Sequence, residues 1–185
     1  MLRRALALVL VPTCVLTSTA VAQSTSRGVG FRVVPGVGFA SASFGDNSPR
    51  SSSGFAFTLG GVVLFPVSST TDIVLDATWR PTKLDNPHFD ESFSSIYLMG
   101  GVQFGGGSVY FRPSIGVDFQ TWSGTMTETS SGTAGALGLA IGTEKRIGAG
   151  PWLLAPEGSV RFSLTGGLSS FLLLFSLGVG VRGGS

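Results

Sequence analysis

The only histidine of the chain, His88, stands in Asn86-Pro87-His88-Phe89-Asp90-Glu91-Ser92, with carboxylates and a hydroxyl close by. A serine nucleophile needs a base within hydrogen-bond reach and a third group to orient that base. Ser92, His88 and Glu91 would be that set here, and modification of a lipid would be its chemistry. His88, Asp90 and Glu91 would be the matching metal set. Both sets fall in a polar stretch that reads as an exposed connection, where a histidine is ordinarily solvated. No catalytic residue, metal site or cofactor is therefore expected, and the chain is expected not to be an enzyme. Gly105-Gly106-Gly107 lacks the strand-loop-helix setting of a phosphate cradle and reads as a turn.

The other residues capable of chemistry are ten charges spread along the chain: Arg32, Asp72, Asp76, Arg80, Arg112, Asp118, Glu144, Glu157, Arg161 and Arg182. Five cations balance five carboxylates. Each lies in a segment where bulky apolar residues alternate with small or polar ones at a period of two, the signature of a strand with two unlike faces. The clearest is 108–122, where Val109, Phe111, Ile115, Val117 and Phe119 alternate with Tyr110, Arg112, Ser114, Gly116, Asp118 and Gln120. Comparable segments cover about 29–43, 54–65, 71–82, 93–104, 133–146, 151–164 and 170–182. Most of the charges in these segments, these ten among them, share the face of Gly, Ala and Ser.

Alternation alone does not say which face is inside, because a soluble barrel would bury the bulky side. Residue size decides. An eight-stranded barrel has an interior just wide enough for side chains, and the Phe, Leu, Val, Ile and Trp set would overfill it. A soluble exterior would also carry many Lys and Glu, and Lys is nearly absent from these segments. The bulky face is therefore assigned to lipid and the small, charged face to the lumen, where unlike charges can satisfy one another. Arg112 with Glu144, and Asp76 or Glu157 with Arg80 or Arg161, are candidate pairs.

The rest of the chain fits this setting. Charged residues are only 12%, yet beyond the N-terminus the longest apolar run is Phe171 to Phe175, far from the roughly 18 residues of a spanning helix. Residues 1–22 read as a cleaved signal peptide, with Arg3 and Arg4, an apolar stretch from Ala5 to Leu16, and a small-x-small site at Ala20-Val21-Ala22. Cleavage there removes Cys14, the only cysteine, and leaves 23–185 as one domain with equal numbers of basic and acidic residues. Nucleic-acid binding is not expected of such a chain. Short connections (Pro66-Val67-Ser68-Ser69, Gly105-Gly106-Gly107, Gly148-Ala149-Gly150) take turns with longer polar ones at 46–53, 83–92 and 123–132. Outer-membrane barrels have short periplasmic turns and longer external loops. Trp79, Trp122 and Trp152 lie near strand ends, as an interfacial belt would require.

Pro113-Ser114-Ile115-Gly116-Val117-Asp118-Phe119 is echoed by Pro156-Glu157-Gly158-Ser159-Val160-Arg161-Phe162 and, shortened, by Pro35-Gly36-Val37-Gly38-Phe39. All three prolines take the outward parity, and local bulges are expected there, because proline cannot donate to a ladder. With the signal segment, strand number and turn pattern, this echo resembles the outer-membrane β-barrel superfamily of OmpA-type and OmpX-type proteins over about 28–182. The chain departs from that pattern at its end, Val181-Arg182-Gly183-Gly184-Ser185, where members usually carry an aromatic residue. The resemblance implies an all-β, eight-stranded, antiparallel, up-and-down transmembrane barrel in the outer membrane. It implies as partners outer-membrane lipid and lipopolysaccharide, the outer-membrane insertion machinery, and a surface ligand held by the loops. A structural or surface-interaction role with a plugged lumen is expected first. A narrow pore for small solutes comes second and a lipid-A-modifying enzyme third.

Overall fold

A segment with two unlike faces can satisfy its backbone in a bilayer only by pairing with neighbours on both sides, and pairing without an edge requires closure. The computed structural model is such a closed sheet. It describes residues 27–44, 50–86, 89–105, 109–124, 127–165 and 168–183; the expected signal segment and its Ala20-Val21-Ala22 site lie outside them. The strands are β1 (Gly30–Phe44), β2 (Arg50–Pro66), β3 (Thr71–Asn86), β4 (Phe89–Phe104), β5 (Val109–Gly124), β6 (Thr127–Thr143), β7 (Lys145–Arg146), β8 (Trp152–Thr165) and β9 (Leu168–Arg182). Every pair is antiparallel and joins sequence neighbours, while β1–β9 and β6–β8 pairing closes the ring. The two-residue β7 meets β8 in the register already set by β6, so β6 and β7 form one wall strand and the barrel has eight.

The register fixes the shape. Following paired residues around the wall leads from Val33 to Gly61, Ala77, Leu98, Val117, Gly135, Leu164, Ser169 and back to β1 at Ser43, ten residues further along. A stagger of that size over eight strands, with ordinary strand spacing and rise, tilts the strands by roughly 40°.

Prolines mark the wall without bending its register. β1 pairs with β9 at Val33 and again at Gly36, skipping Pro35. β5 pairs with β4 at Phe111 and again at Ser114, skipping Pro113. β8 pairs with β6 at Glu157 and with β7 at Leu154, skipping Pro156. In each case the other neighbour pairs straight through the proline. The expected bulges are thus absent at these prolines. The missing N–H silences the ladder on one side only, and the gap opposite Pro156 is what divides β6 from β7.

The external connections also differ from expectation. Much of 46–53, 83–92 and 123–132 is strand, because β2 begins at Arg50, β3 runs to Asn86, β4 starts at Phe89 and β6 starts at Thr127. Strands of 14–17 residues outreach an apolar band about 25 Å tall. Their polar ends pair as hairpins above it, which satisfies backbone groups as a loop would not. The opposite end is closed tightly. Val67 and Ser68 donate to the Thr71 carbonyl, Gly105 (φ 134°) accommodates the β4–β5 turn, and Gly28 donates to Gly183, tying the segment that enters β1 to the one that leaves β9.

Side-chain exposure follows parity. Phe55, Phe57, Ile115, Leu164 and Phe175 are each more than 60% exposed, the environment of a residue that meets lipid. Arg32, Asp72, Arg80 and Asp118 are at most 1% exposed. Trp79 and Trp152 lie on the exposed outer wall; the Trp122 side chain is outside the description. The lumen also holds apolar groups. Ala40, Ala56, Tyr97, Met99, Ala136, Leu172 and Leu174 form one buried cluster, and Val62, Leu64 and Val74 a second.

Candidate functional site: the charged lumen

The inward face of each strand delivers its polar residue to a filled lumen, and two inward glycines make room. A Cβ at Gly142 would lie 2.5 Å from the Tyr110 hydroxyl oxygen, and one at Gly180 2.8 Å from Cγ of Arg32. Bare backbone at these two places lets a ring and a long cationic stem lie flat against the inner wall.

The charges are arranged in three tiers. At the end carrying the short turns, Glu144, one residue beyond β6, accepts from Arg182 at 3.0 Å and from the Gln103 amide at 2.7 Å. Arg32 and Arg27 each approach it to 3.5 Å. Arg182 also bonds Asp72. Burial alone would raise the Glu144 carboxyl, but Arg32, the Gln103 amide, Arg182 and Arg27 outweigh it and hold the group below its ordinary value. Arg27 further donates to the carbonyls of Ser69 and Gly105, so it laces the turns to the mouth.

The middle tier crosses the barrel. Arg112 on β5 meets Glu157 on β8 at 2.6 Å. Arg161 on β8 meets Asp76 on β3, four strands round the wall, at 2.9 Å. Tyr110 donates to Glu157 at 2.7 Å and Thr78 to Asp76 at 2.7 Å. Arg32 links this tier to the one below, donating to Gln103 at 2.9 Å and to the Tyr110 hydroxyl at 3.4 Å. A cavity of about 10 Å³ lined by Asp76, Arg112, Ser159 and Arg161 has room for about one water.

The tier towards the hairpin ends is built differently. Asp118 accepts from Gln120 at 2.6 Å and Ser163 at 2.7 Å, with no ion pair among the described residues. Arg80 donates Nε to Ser95 at 3.1 Å, and its guanidinium lies 4.6 Å from the Phe93 ring centre and 5.4 Å from that of Tyr97. Its two terminal nitrogens are buried without hydrogen-bond partners. The Arg161 guanidinium also lies 5.3 Å from the Tyr97 ring centre, a cation–π contact that joins middle and outer tiers.

The structure therefore brings the ten charges picked out in the sequence to one lumen. Nine are buried and Glu144 is partly so. It pairs Asp76 with Arg161, but Arg112 turns to Glu157 rather than Glu144, because Glu144 sits a tier lower among Arg27, Arg32 and Arg182. Arg27 escaped the sequence reading because it precedes β1 and belongs to no alternating segment. Gln103, Tyr97 and Tyr110 share the inward parity with the charges, but their residue types alone assign them no part in the network. Among the described residues no group of three His, Cys, Asp or Glu side chains could hold a metal ion; His88 lies outside them.

No family model and no curated protein matches the chain. Solved structures of small outer-membrane barrels do. Neisserial surface protein A matches with a TM-score of 0.55 at 19% identity, covering 82% of this chain and 96% of that one. A major outer membrane protein from Thermus thermophilus matches with a TM-score of 0.53 at 16% identity, covering 84% and 99%. Ail, the attachment invasion locus protein of Yersinia pestis, matches with a TM-score of 0.52 at 12% identity, covering 84% and 99%. At these identities the likeness is one of fold. The chain has the fold of a small outer-membrane β-barrel, and its lipid-facing wall and polar lumen are those of a transmembrane barrel.

Proposed function

We propose that the protein is a sealed, non-enzymatic outer-membrane barrel that serves as an anchor, displaying its paired polar hairpins to surface molecules. The observation that carries this reading is the Arg161–Asp76 bridge across the barrel, flanked by Arg112–Glu157 and continued through Tyr110, Arg32 and Gln103 to Glu144. A water path would have to break several buried charge pairs, each of which costs several kcal/mol to leave half-made. Lipopolysaccharide, outer-membrane lipid and a surface ligand are the partners this display would meet, after delivery by the insertion machinery. The attachment and invasion role in the name of the Yersinia pestis neighbour is of this general kind.

Reconstitution into planar bilayers tests it. The expected trace is flat, with no steady conductance. Sustained channels that change when Arg112 or Glu157 is replaced would contradict the sealed reading and favour a narrow pore.

A further inference from the structure

Among residues whose side chains are described, the outer wall obeys a strict rule with one exception. Every outward residue from Val29 to Val181 is uncharged except Lys145. It is exposed, pairs with Leu154 on β8, and shares the outer face with Leu154, with exposed Ile147 (47%) and with exposed Trp152 (56%). Ile147 donates to the Trp152 carbonyl at 2.9 Å, so the turn holds these two side chains beside the lysine. A cation facing lipid at mid-depth costs about 2–4 kcal/mol and almost nothing near the interface. Lys145 lies four residues beyond Ile141 towards the end that carries the short turns, where its stem can follow the apolar wall and its ammonium reach the headgroup plane. Trp152 is the aromatic expected at that level.

We propose that Lys145, flanked on the outer face by Ile147 and Trp152, binds the phosphate of an anionic phospholipid in the periplasmic leaflet. The charge is complementary, and the short turns put this rim on the periplasmic side. Arg146, next in sequence, takes the opposite, inward parity at the mouth and has a partner within the chain, so it is not the chief contact. The proposal depends on the barrel's place in a bilayer but not on a sealed lumen, so a conducting barrel would leave it standing.

Trp152 supplies the probe. With Trp79 and Trp122 changed to Phe, it is the single tryptophan. The protein is reconstituted in phosphatidylcholine vesicles containing a minor share of brominated phosphatidylglycerol or, in parallel, of brominated phosphatidylcholine. Quenching of Trp152 is expected to report a preference for phosphatidylglycerol of about five-fold, the value of one basic residue at a charged surface. High salt should erase it, and that arm needs no further variant. Lys145→Gln should abolish the preference, Lys145→Arg keep it, and Arg146→Gln leave most of it. Equal quenching by the two lipids, insensitivity to salt, or a preference that survives Lys145→Gln would each overturn the proposal.

Discussion

The two ends of the lumen solve the same problem, a cation held away from water, in opposite ways. Near the short turns, Glu144 is shared among Arg27, Arg32 and Arg182, and Asp72 is shared between Arg182 and, at 3.9 Å, Arg27. Near the hairpins, Arg80 has no carboxylate within salt-bridge distance among the described residues and is held by Phe93, Tyr97 and one serine. A shared carboxylate tolerates the loss of one partner, whereas an exclusive pair does not. A guanidinium on aromatic faces with unpartnered nitrogens contributes little that an apolar side chain could not. The middle tier is the most brittle of the three, because among the described residues Glu157 has the single cation Arg112, which also approaches Asp76 at 3.8 Å.

Mutations can break this contrast in a graded way. Arg112→Ala leaves Glu157 buried with only the Tyr110 hydroxyl as partner, and should cost about 3–5 kcal/mol in urea unfolding from lipid. On the other side of the same wall, Leu139→Arg places a charge in lipid and should cost about 2–4 kcal/mol, against little for Ala140→Ser on the inward face. Heat-modifiable gel mobility after refolding compares the two. Equal insertion would contradict the face assignment. Arg80→Met should lie within about 1.5 kcal/mol of the parent or stabilise it, because it fills the space between two rings and removes unpartnered donors. A loss as large as that of Arg112→Ala would show that the outer tier is as tightly paired as the middle one.

The smallest effect concerns acid. The Glu144 carboxyl is held below its ordinary value of 4.5, so its stabilisation is complete above that value and is lost as pH falls through the lower, folded-state value. The unfolding midpoint in urea should fall on acidification below the ordinary value, and Glu144→Gln should flatten that part of the profile.

How much of this the sequence disclosed depends on whether two neighbours differ in kind. Where Phe111 alternates with Arg112, a period of two names both faces, and the wall and the lumen charges were legible. In Phe171-Leu172-Leu173-Leu174-Phe175 both parities are apolar, so nothing in the residue types showed that Leu172 and Leu174 fill the lumen. Pairings such as Arg112–Glu157, which the sequence misassigns to Glu144, depend on register across strands far apart in sequence, which composition does not carry. The hairpins were hidden for a related reason. Ser, Thr and Asp at 46–53, 83–92 and 123–132 are what a loop contains, and they are equally what a strand contains once it leaves the apolar band.

Adjacent residues of one strand live in two media, hydrocarbon and a closed polar lumen. Leu139 and Ala140 on β6 test it most directly, since Ala140 pairs with Arg112 and is 4% exposed while Leu139 is 42% exposed. Cys14 is the only cysteine of the sequence, so with Cys14→Ser each position can carry a single thiol in lipid-reconstituted protein. Leu139→Cys is expected to react with a lipid-soluble maleimide and not with a water-soluble one, and Ala140→Cys with neither. Rapid labelling of Ala140→Cys by the water-soluble reagent would show instead an open, wet lumen.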